Sequence, residues 1–297
     1  MTTTVREQYS AQSLGMVSWQ NVRTLAFYTL MTFLLLFPIV PFIWMFGSAF
    51  RPVTEIFQYV YPLSWKTFIP VDFTADNFID LLFAEGTLWP RYIFNSLFVA
   101  ITTVVLGALV NSLAAYAFAR LRFPGRDILF LLVLLTIIIP FEAIALPLYQ
   151  VVRELGWLDS YQVLIVPTLA NAFSIFLLRQ FFLGIPSELE EAAIVDGAGR
   201  LRIFFQIVVP LSWPAIISTS LITFQASWDS FLWPLIATSS PEVRVIQIAI
   251  SNLIGQDATY WNELFAAVAL AALVPLILFF IFQRYYTQGI TTSGLKG

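Results

Sequence analysis

The sequence predicts an all-α integral membrane protein, with six transmembrane helices and a cytoplasmic hairpin of two short helices between spans four and five. Three observations predict it. The 297 residues are 59% hydrophobic and 11% charged, against about 25% charge in soluble domains, so a water-soluble fold has no means of hiding so much apolar surface. Long stretches with no charge, or with one acid, recur along the chain and are long enough to span a bilayer. One dense acidic segment, Glu188 to Ala198, stands apart from all of them.

Residues 1–23 form a polar N-terminal segment with Arg6 and Arg23. They lack the short apolar core and small-residue cleavage site of a signal peptide. Span one runs from Thr24 to Phe50 without a charge and is expected to bend at Pro38 and Pro41. Arg51 to Arg91 is polar and broken by prolines, which reads as an extramembrane loop or small cap. Span two, Tyr92 to Ala119, carries Asn95, Asn111 and Ser112 beside Gly107, Ala108, Ala114 and Ala115. Small residues let helix backbones approach closely, so this span is predicted to be central and packed.

A tight basic turn follows, with Arg120, Arg122 and Arg126 around Pro124 and Gly125. Span three extends from Ile128 to Val152 with Glu142 inside it, just after Pro140. Span four, Tyr161 to Leu178, holds Thr168, Asn171 and Ser174 at three-residue spacing, which predicts a polar stripe on one helical face. Span five, Ala215 to Ile236, encloses Asp229, with Gln225 four residues earlier and Trp228 and Trp233 beside it. A loop from Ala237 to Glu263 leads to span six, Leu264 to Gln283, and residues 285–297 form a tail.

Six spans place both ends on one side. That side carries Arg6, Arg23, Arg120, Arg122, Arg126, Arg179, Arg200, Arg202, Arg284 and Lys296. The other carries Arg51, Lys66, Arg91, Arg153 and Arg244. Ten bases against five orient the ends, the basic turn and the acidic hairpin toward the cytoplasm. The membrane unit is then 24–284, with a cytoplasmic loop over 184–210.

The acidic hairpin is dense in local signals. Ser187 and Glu190 have capping-box spacing, which starts a helix, and Gly197 is a natural stop because it has no Cβ penalty in a left-handed conformation. Leu201, Phe204, Phe205 and Val208 then write an apolar stripe on a second short helix that Pro210 and Pro214 end. Charged at one end and greasy along the other, the pair has the character of a docking element. An ordinary cytoplasmic loop would share the pattern.

The chain has no cysteine and no histidine. That excludes disulfides, thiol catalysis, Ser-His nucleophiles and the commonest zinc ligands. A net charge of −3 argues against a nucleic-acid partner. Gly289 to Gly297 faintly echoes a phosphate loop, but Leu295 separates glycine from lysine and no Ser or Thr follows. No nucleotide or metal site of the chain's own is predicted. Glu142 and Asp229, as acids inside spans, are functional candidates, since buried carboxylates in a membrane are costly. Gln225, Trp228 and Asp229 combine hydrogen-bonding groups with flat aromatic faces suited to a hydroxyl-rich solute. For Trp233 an interfacial belt position fits better.

Glu191-Ala192-Ala193, then Gly197, then Ile207 and Val209-Pro210 closely resemble the EAA motif of binding-protein-dependent ABC transporter permeases, and Asp196 also matches. Val209 stands where that family more often has leucine. Ile139-Pro140, Leu155-Gly156-Trp157-Leu158-Asp159, Trp228-Asp229-Ser230-Phe231-Leu232-Trp233-Pro234 and the closing Gly294-Leu295-Lys296-Gly297 resemble the carbohydrate-uptake branch, in particular the smaller six-span permease of maltose-type importers. Family members often have asparagine where Asp229 sits.

The resemblance implies a permease subunit of the bacterial or archaeal cytoplasmic membrane that imports sugars or related polyols. Its implied partners are a homologous second permease, two ATPase subunits that bind the ATP and magnesium, and an extracytoplasmic solute-binding protein. The implied ATPase-coupling residues are Glu190, Glu191, Ala192, Ala193, Asp196, Gly197, Ala198 and Phe204. The candidate substrate-pathway residues are Glu142, Asn171, Gln225, Trp228 and Asp229. The rival reading is a proton-coupled secondary carrier using Glu142 and Asp229, which would need no ATPase. An intramembrane protease would need a catalytic pair that the composition does not supply.

Overall fold

The computed structural model describes the backbone of residues 19–255 and 259–294, with side chains over 21–255 and 259–284. The polar start with Arg6, the loop acid Asp257 and the closing Leu295-Lys296-Gly297 lie outside the described residues. The chain divides into two units, one ending at Thr74 and one beginning at Ala75.

The first unit opens with α1 (Trp19–Leu36) and α2 (Ile39–Ala49), separated by a turn at Phe37 and Pro38. Pro38 supplies the expected break, while Pro41 sits in the first turn of α2, where a missing N–H costs nothing. Leu25, Phe33 and Leu35 of α1 are exposed, as lipid-facing side chains are. The stretch read as a loop after span one proves to be folded around a buried ion pair. Arg51 Nη2 donates to the carbonyls of Lys66 at 2.7 Å and Thr67 at 3.0 Å. The Glu55 carboxylate accepts from Val71 N at 2.7 Å and Asp72 N at 2.9 Å, and Arg51 Nε lies 3.9 Å from it. Burial pushes the Arg51 pKa down from its ordinary value, with the Glu55 charge opposing.

In the second unit α3 (Asp76–Phe83) leads to α4 (Trp89–Arg120), a helix of 32 residues. It is the packing axis, with α8 (Ala172–Leu183) and α12 (Trp213–Trp228) laid along it. Ala100, Gly107 and Ala115 are buried at those contacts, as the small-residue pattern predicts.

The other predicted spans are not single straight helices. Span three is split into α5 (Arg126–Leu135), a 3₁₀ turn, and α6 (Phe141–Glu154), which meet at 106°. Pro140 excludes Ile139 from helical backbone, and Ile139 is extended, with φ −80° and ψ 116°. Span four is α7 (Tyr161–Ile165), a 3₁₀ turn through Thr168, and then α8, bent by 43°. Asn111 from α4 fills that break. Its Nδ2 donates to Leu169 O at 3.0 Å and its Oδ1 accepts from Asn171 N at 2.9 Å. Span five ends early, since α12 stops at Trp228 and α13 (Leu232–Ala237) is a separate short helix.

The loop after it contains α14 (Ile246–Ser251), whose Ile246, Ile248 and Ala249 are buried. Its start is pinned to α4 through Ile246 N and Ser96 Oγ at 2.7 Å. Finally, α15 (Trp261–Gly294) takes in residues 285–294 of the stretch read as a tail. Among the described residues, three helical stretches are long and apolar enough to cross a membrane: 21–49, 89–120 and 261–284. Three bent pairs can supply up to three more.

Candidate coupling hairpin and its anchor

The acidic segment forms α9 (Ser187–Val195), followed by α10 (Arg200–Ile203), a π-helical turn over Phe204–Val208 and α11 (Val209–Leu211). Gly197 ends α9 with φ +80°. Ala198 N donates to Ala193 O at 2.8 Å and Gly197 N to Ile194 O at 3.0 Å. These two bonds are the paired closure of a Schellman motif, which satisfies the last carbonyls and requires a left-handed residue where Gly197 stands. Pro210 does not end the second helix, because it lies inside α11. The chain turns instead at Ser212, where α11 and α12 meet at a bend of 81°. Pro214 opens α12 in its first turn, where proline is favoured.

The start of α9 departs from the capping-box expectation. Pro186 occupies the cap position, and no side chain caps the helix. Glu190 turns inward instead and is 5% exposed. Its Oε1 lies 3.0 Å from Arg120 Nε, and its Oε2 accepts from the Tyr116 hydroxyl at 3.3 Å. Arg200, largely exposed, approaches Oε2 at 4.0 Å. A buried carboxylate beside a guanidinium gains more from that charge than from a solvated backbone N–H. Arg120 also donates through Nη2 to Phe182 O at 2.5 Å and to Ile185 O. One guanidinium on the last turn of α4 therefore ties the end of α8 to the beginning of α9.

The two acids of the motif consequently have different surroundings. Glu191 is exposed and shares a helical face with Glu188, Ala192 and Val195, all exposed as well. Val195 is 87% exposed, an apolar side chain standing in the open at the tip of the hairpin. Asp196 and Gly197 continue this surface, while Ala193 and Ala198 are half-buried against the core. Phe204 does not belong to the outer surface. It is fully buried, with its ring 5.3 Å from that of Tyr116. The predicted stripe is corrected accordingly: Ile203, Phe204 and Val208 face the core, whereas Leu201 and Phe205 are exposed. The π-helical turn just before Pro210, which has no N–H to offer the carbonyl of Gln206, shifts the register from the ideal 3.6-residue repeat.

The candidate pathway residues are dispersed. Gln225 Nε2 donates to Asp229 Oδ2 at 2.5 Å, and Asp229 is the exposed C-cap of α12. Glu142 is likewise exposed in the first turn of α6. Asn171 caps α8, its Oδ1 accepting from Ser174 N at 2.8 Å, so Thr168, Asn171 and Ser174 form no helical stripe. Trp228 is 2% exposed, and its indole donates to Ala271 O at 3.1 Å, which makes it a core residue and no wall of a passage. Trp233 is also buried, donating to Val163 O at 2.7 Å, so it is not an interfacial residue. Arg120 and Tyr116 were not singled out by sequence reasoning. Their spacing of four on one helix, with the arginine closing an uncharged run, is the signal that points to them.

Comparison with known proteins agrees with this architecture. The family model for the inner membrane component of binding-protein-dependent transport systems matches residues 112–292. The arabinooligosaccharides transport system permease protein AraQ of Halalkalibacterium halodurans is 35% identical over 95% of this chain and 97% of its own length. The sn-glycerol-3-phosphate transport system permease protein UgpE of Pectobacterium atrosepticum is 37% identical over 84% of this chain and 89% of its own. A chain in the crystal structure of a bacterial ABC transporter for import of the acidic polysaccharide alginate shares the fold, with a TM-score of 0.80 at 21% identity, covering 92% of this chain and 99% of that one. With the EAA hairpin in place and these matches spanning most of its length, the chain belongs to the family of inner membrane permease components of binding-protein-dependent transport systems.

Proposed function

We propose that this chain is one of two permease subunits of an ATP-driven importer for sugars or related polyols, and that it passes ATPase closure to its spans through the 184–210 loop. The observation that carries the reading is the division within α9, where an exposed acidic and apolar face sits on a root buried by Arg120. An exposed helical face with Val195 in the open fits a surface built for a partner. The buried root supplies the stiffness that a transmitted movement needs.

The partners are a homologous second permease, two ATPase subunits that bind ATP and magnesium, and an extracytoplasmic solute-binding protein. Glu191, Ala192, Asp196 and Gly197 form the ATPase-facing surface, with Ala193 and Ala198 packed beneath. Glu190 and Phe204 act from behind it by holding the hairpin in place. The relatives named for arabinooligosaccharides and sn-glycerol-3-phosphate, and the fold shared with an alginate importer, support a hydroxyl-rich solute. Glu142, Asn171, Gln225 and Asp229 remain candidates for contact with it. The relatives favour the importer over the proton-coupled carrier, since those named are transport-system permease proteins.

Six spans with both termini in the cytoplasm complete the proposal, taking the bent pairs 126–154 and 161–183 as one span each and α12 with α13 as the fifth. The native chain has no cysteine, so single cysteines introduced at Ser187 and Ser240 can be labelled from one side only. The test of the function is affinity purification of the chain in mild detergent with its co-purifying subunits identified and their ATPase activity assayed. Recovery of a second permease and an ATPase supports the importer. Uptake that persists without any ATPase and collapses with a protonophore overturns it.

A further inference from the structure

We propose that the turn between α4 and α5 is a binding site for the phosphate headgroup of an anionic phospholipid, whose acyl chains lie along α5. An open cavity of about 490 Å³ occupies this turn, lined by Arg122, Phe123, Gly125, Arg126, Asp127 and Ile128. Two guanidiniums and one carboxylate give the lining a net charge of +1. Arg126 is held in place, with Nε 3.0 Å from Asp127 Oδ1 and Nη1 3.4 Å from Leu121 O. Arg122 is exposed and has no hydrogen bond or ion pair among the described residues. Gly125, at φ +78°, makes the turn and leaves open space where a Cβ would stand. The cavity thus offers one fixed cation, one uncommitted cation and room between the two ends of the loop.

What selects a lipid over a free anion is the surface directly below. Ile128, Leu132 and Leu135 recur at i, i+4 and i+7 on α5 and are 67%, 54% and 46% exposed. The cavity shares Ile128 with that apolar face, so charge and grease are continuous. A ligand with an anionic head and hydrocarbon tails matches both halves, whereas inorganic phosphate uses only the first. The position fits as well, because α4 ends and α5 begins here, at the boundary of two apolar segments. Basic residues at a span's end orient the chain in any case. Orientation alone needs neither a cavity nor a guanidinium fixed above an exposed apolar stripe.

The test uses the purified transporter complex in nanodiscs of phosphatidylcholine containing a minor fraction of phosphatidylglycerol. Lipids retained after detergent extraction are counted by native mass spectrometry. The wild type is expected to retain phosphatidylglycerol in preference to phosphatidylcholine, and Arg122→Ala to lower that preference about fivefold. Arg122→Lys should keep most of it. Ile128→Ser, which leaves every charge in place, should weaken retention too. Arg122 makes no hydrogen bond or ion pair among the described residues, so its variants test the site without removing such a contact. Equal retention by wild type and Arg122→Ala overturns the proposal. Displacement of phosphatidylglycerol by inorganic phosphate, with no effect from Ile128→Ser, would also overturn it and make this a free-anion site.

Discussion

Glu190 and Glu191 are neighbours in sequence with opposite environments: the first is buried 3.0 Å from Arg120, and the second is exposed on the outer face of α9. Substituting them should separate anchoring from docking. Glu190→Ala leaves the largely buried Arg120 without its counter-charge but with its two carbonyl acceptors, at a cost of about 2 to 3 kcal/mol, and should lower the unfolding temperature of the purified chain. Glu191→Ala should leave that temperature unchanged and reduce co-purification of the ATPase. Equal thermal shifts for the two variants would contradict the assignment.

Gly197 tests the hairpin turn. A Cβ at this position meets nothing within 4 Å, so Gly197→Ala should cost only the left-handed backbone penalty of about 1 to 2 kcal/mol. Gly197→Pro is more severe, because proline cannot adopt φ +80° and loses the N–H that closes on Ile194 O. The proline variant is expected to insert normally yet hydrolyse ATP without transport. Ala193→Glu, which forces a charge into the packed underside of the hairpin, should give the same phenotype. Normal solute uptake in both would remove the loop from the mechanism.

Asn111 supports the break between α7 and α8. Asn111→Leu strands Leu169 O and Asn171 N at a packed helix contact, at about 1 to 3 kcal/mol for each unsatisfied group. A reduced unfolding temperature is expected, with partial recovery in Asn111→Gln if the longer amide still reaches either group. An unchanged melting curve for Asn111→Leu would show that water replaces the amide.

Asp229 and Trp228 are adjacent and should behave differently. Asp229→Ala should raise the uptake KM several-fold with little change in thermal stability, since the group is exposed and held by Gln225. Trp228→Phe removes the bond to Ala271 O from a packed core, so about 1 kcal/mol of stability should be lost while KM holds. Uptake kinetics of Asp229→Ala that match wild type would take this residue out of the pathway.

The sequence made the membrane class, the central packed helix and the hairpin legible, because each is written in local terms: runs without charge, small residues, and a glycine stop. Its errors share one cause. Ile139-Pro140, Leu169-Asn171 and Asp229-Phe231 interrupt runs that hydropathy reads as continuous, since a residue's polarity does not report whether its backbone is helical. Glu190 misled for a related reason. Its spacing from Ser187 satisfies a local rule, while the group that captures it is Arg120, distant in sequence. By type Trp228 looks like a wall residue and Trp233 like an interfacial one, and only the carbonyls of Ala271 and Val163 reveal both as core.

Because the Arg120 guanidinium holds Phe182 O at the end of α8 and Ile185 O in the link together with the first-turn carboxylate of α9, the joint on that side of the hairpin is welded. The other joint, at Ser212, carries the 81° bend, and its buried hydroxyl has no hydrogen-bond partner among the described residues. The two joints of the hairpin are therefore unequal: a charge-assisted anchor grips the α8 side, while the α12 side bends around a hydroxyl that holds nothing.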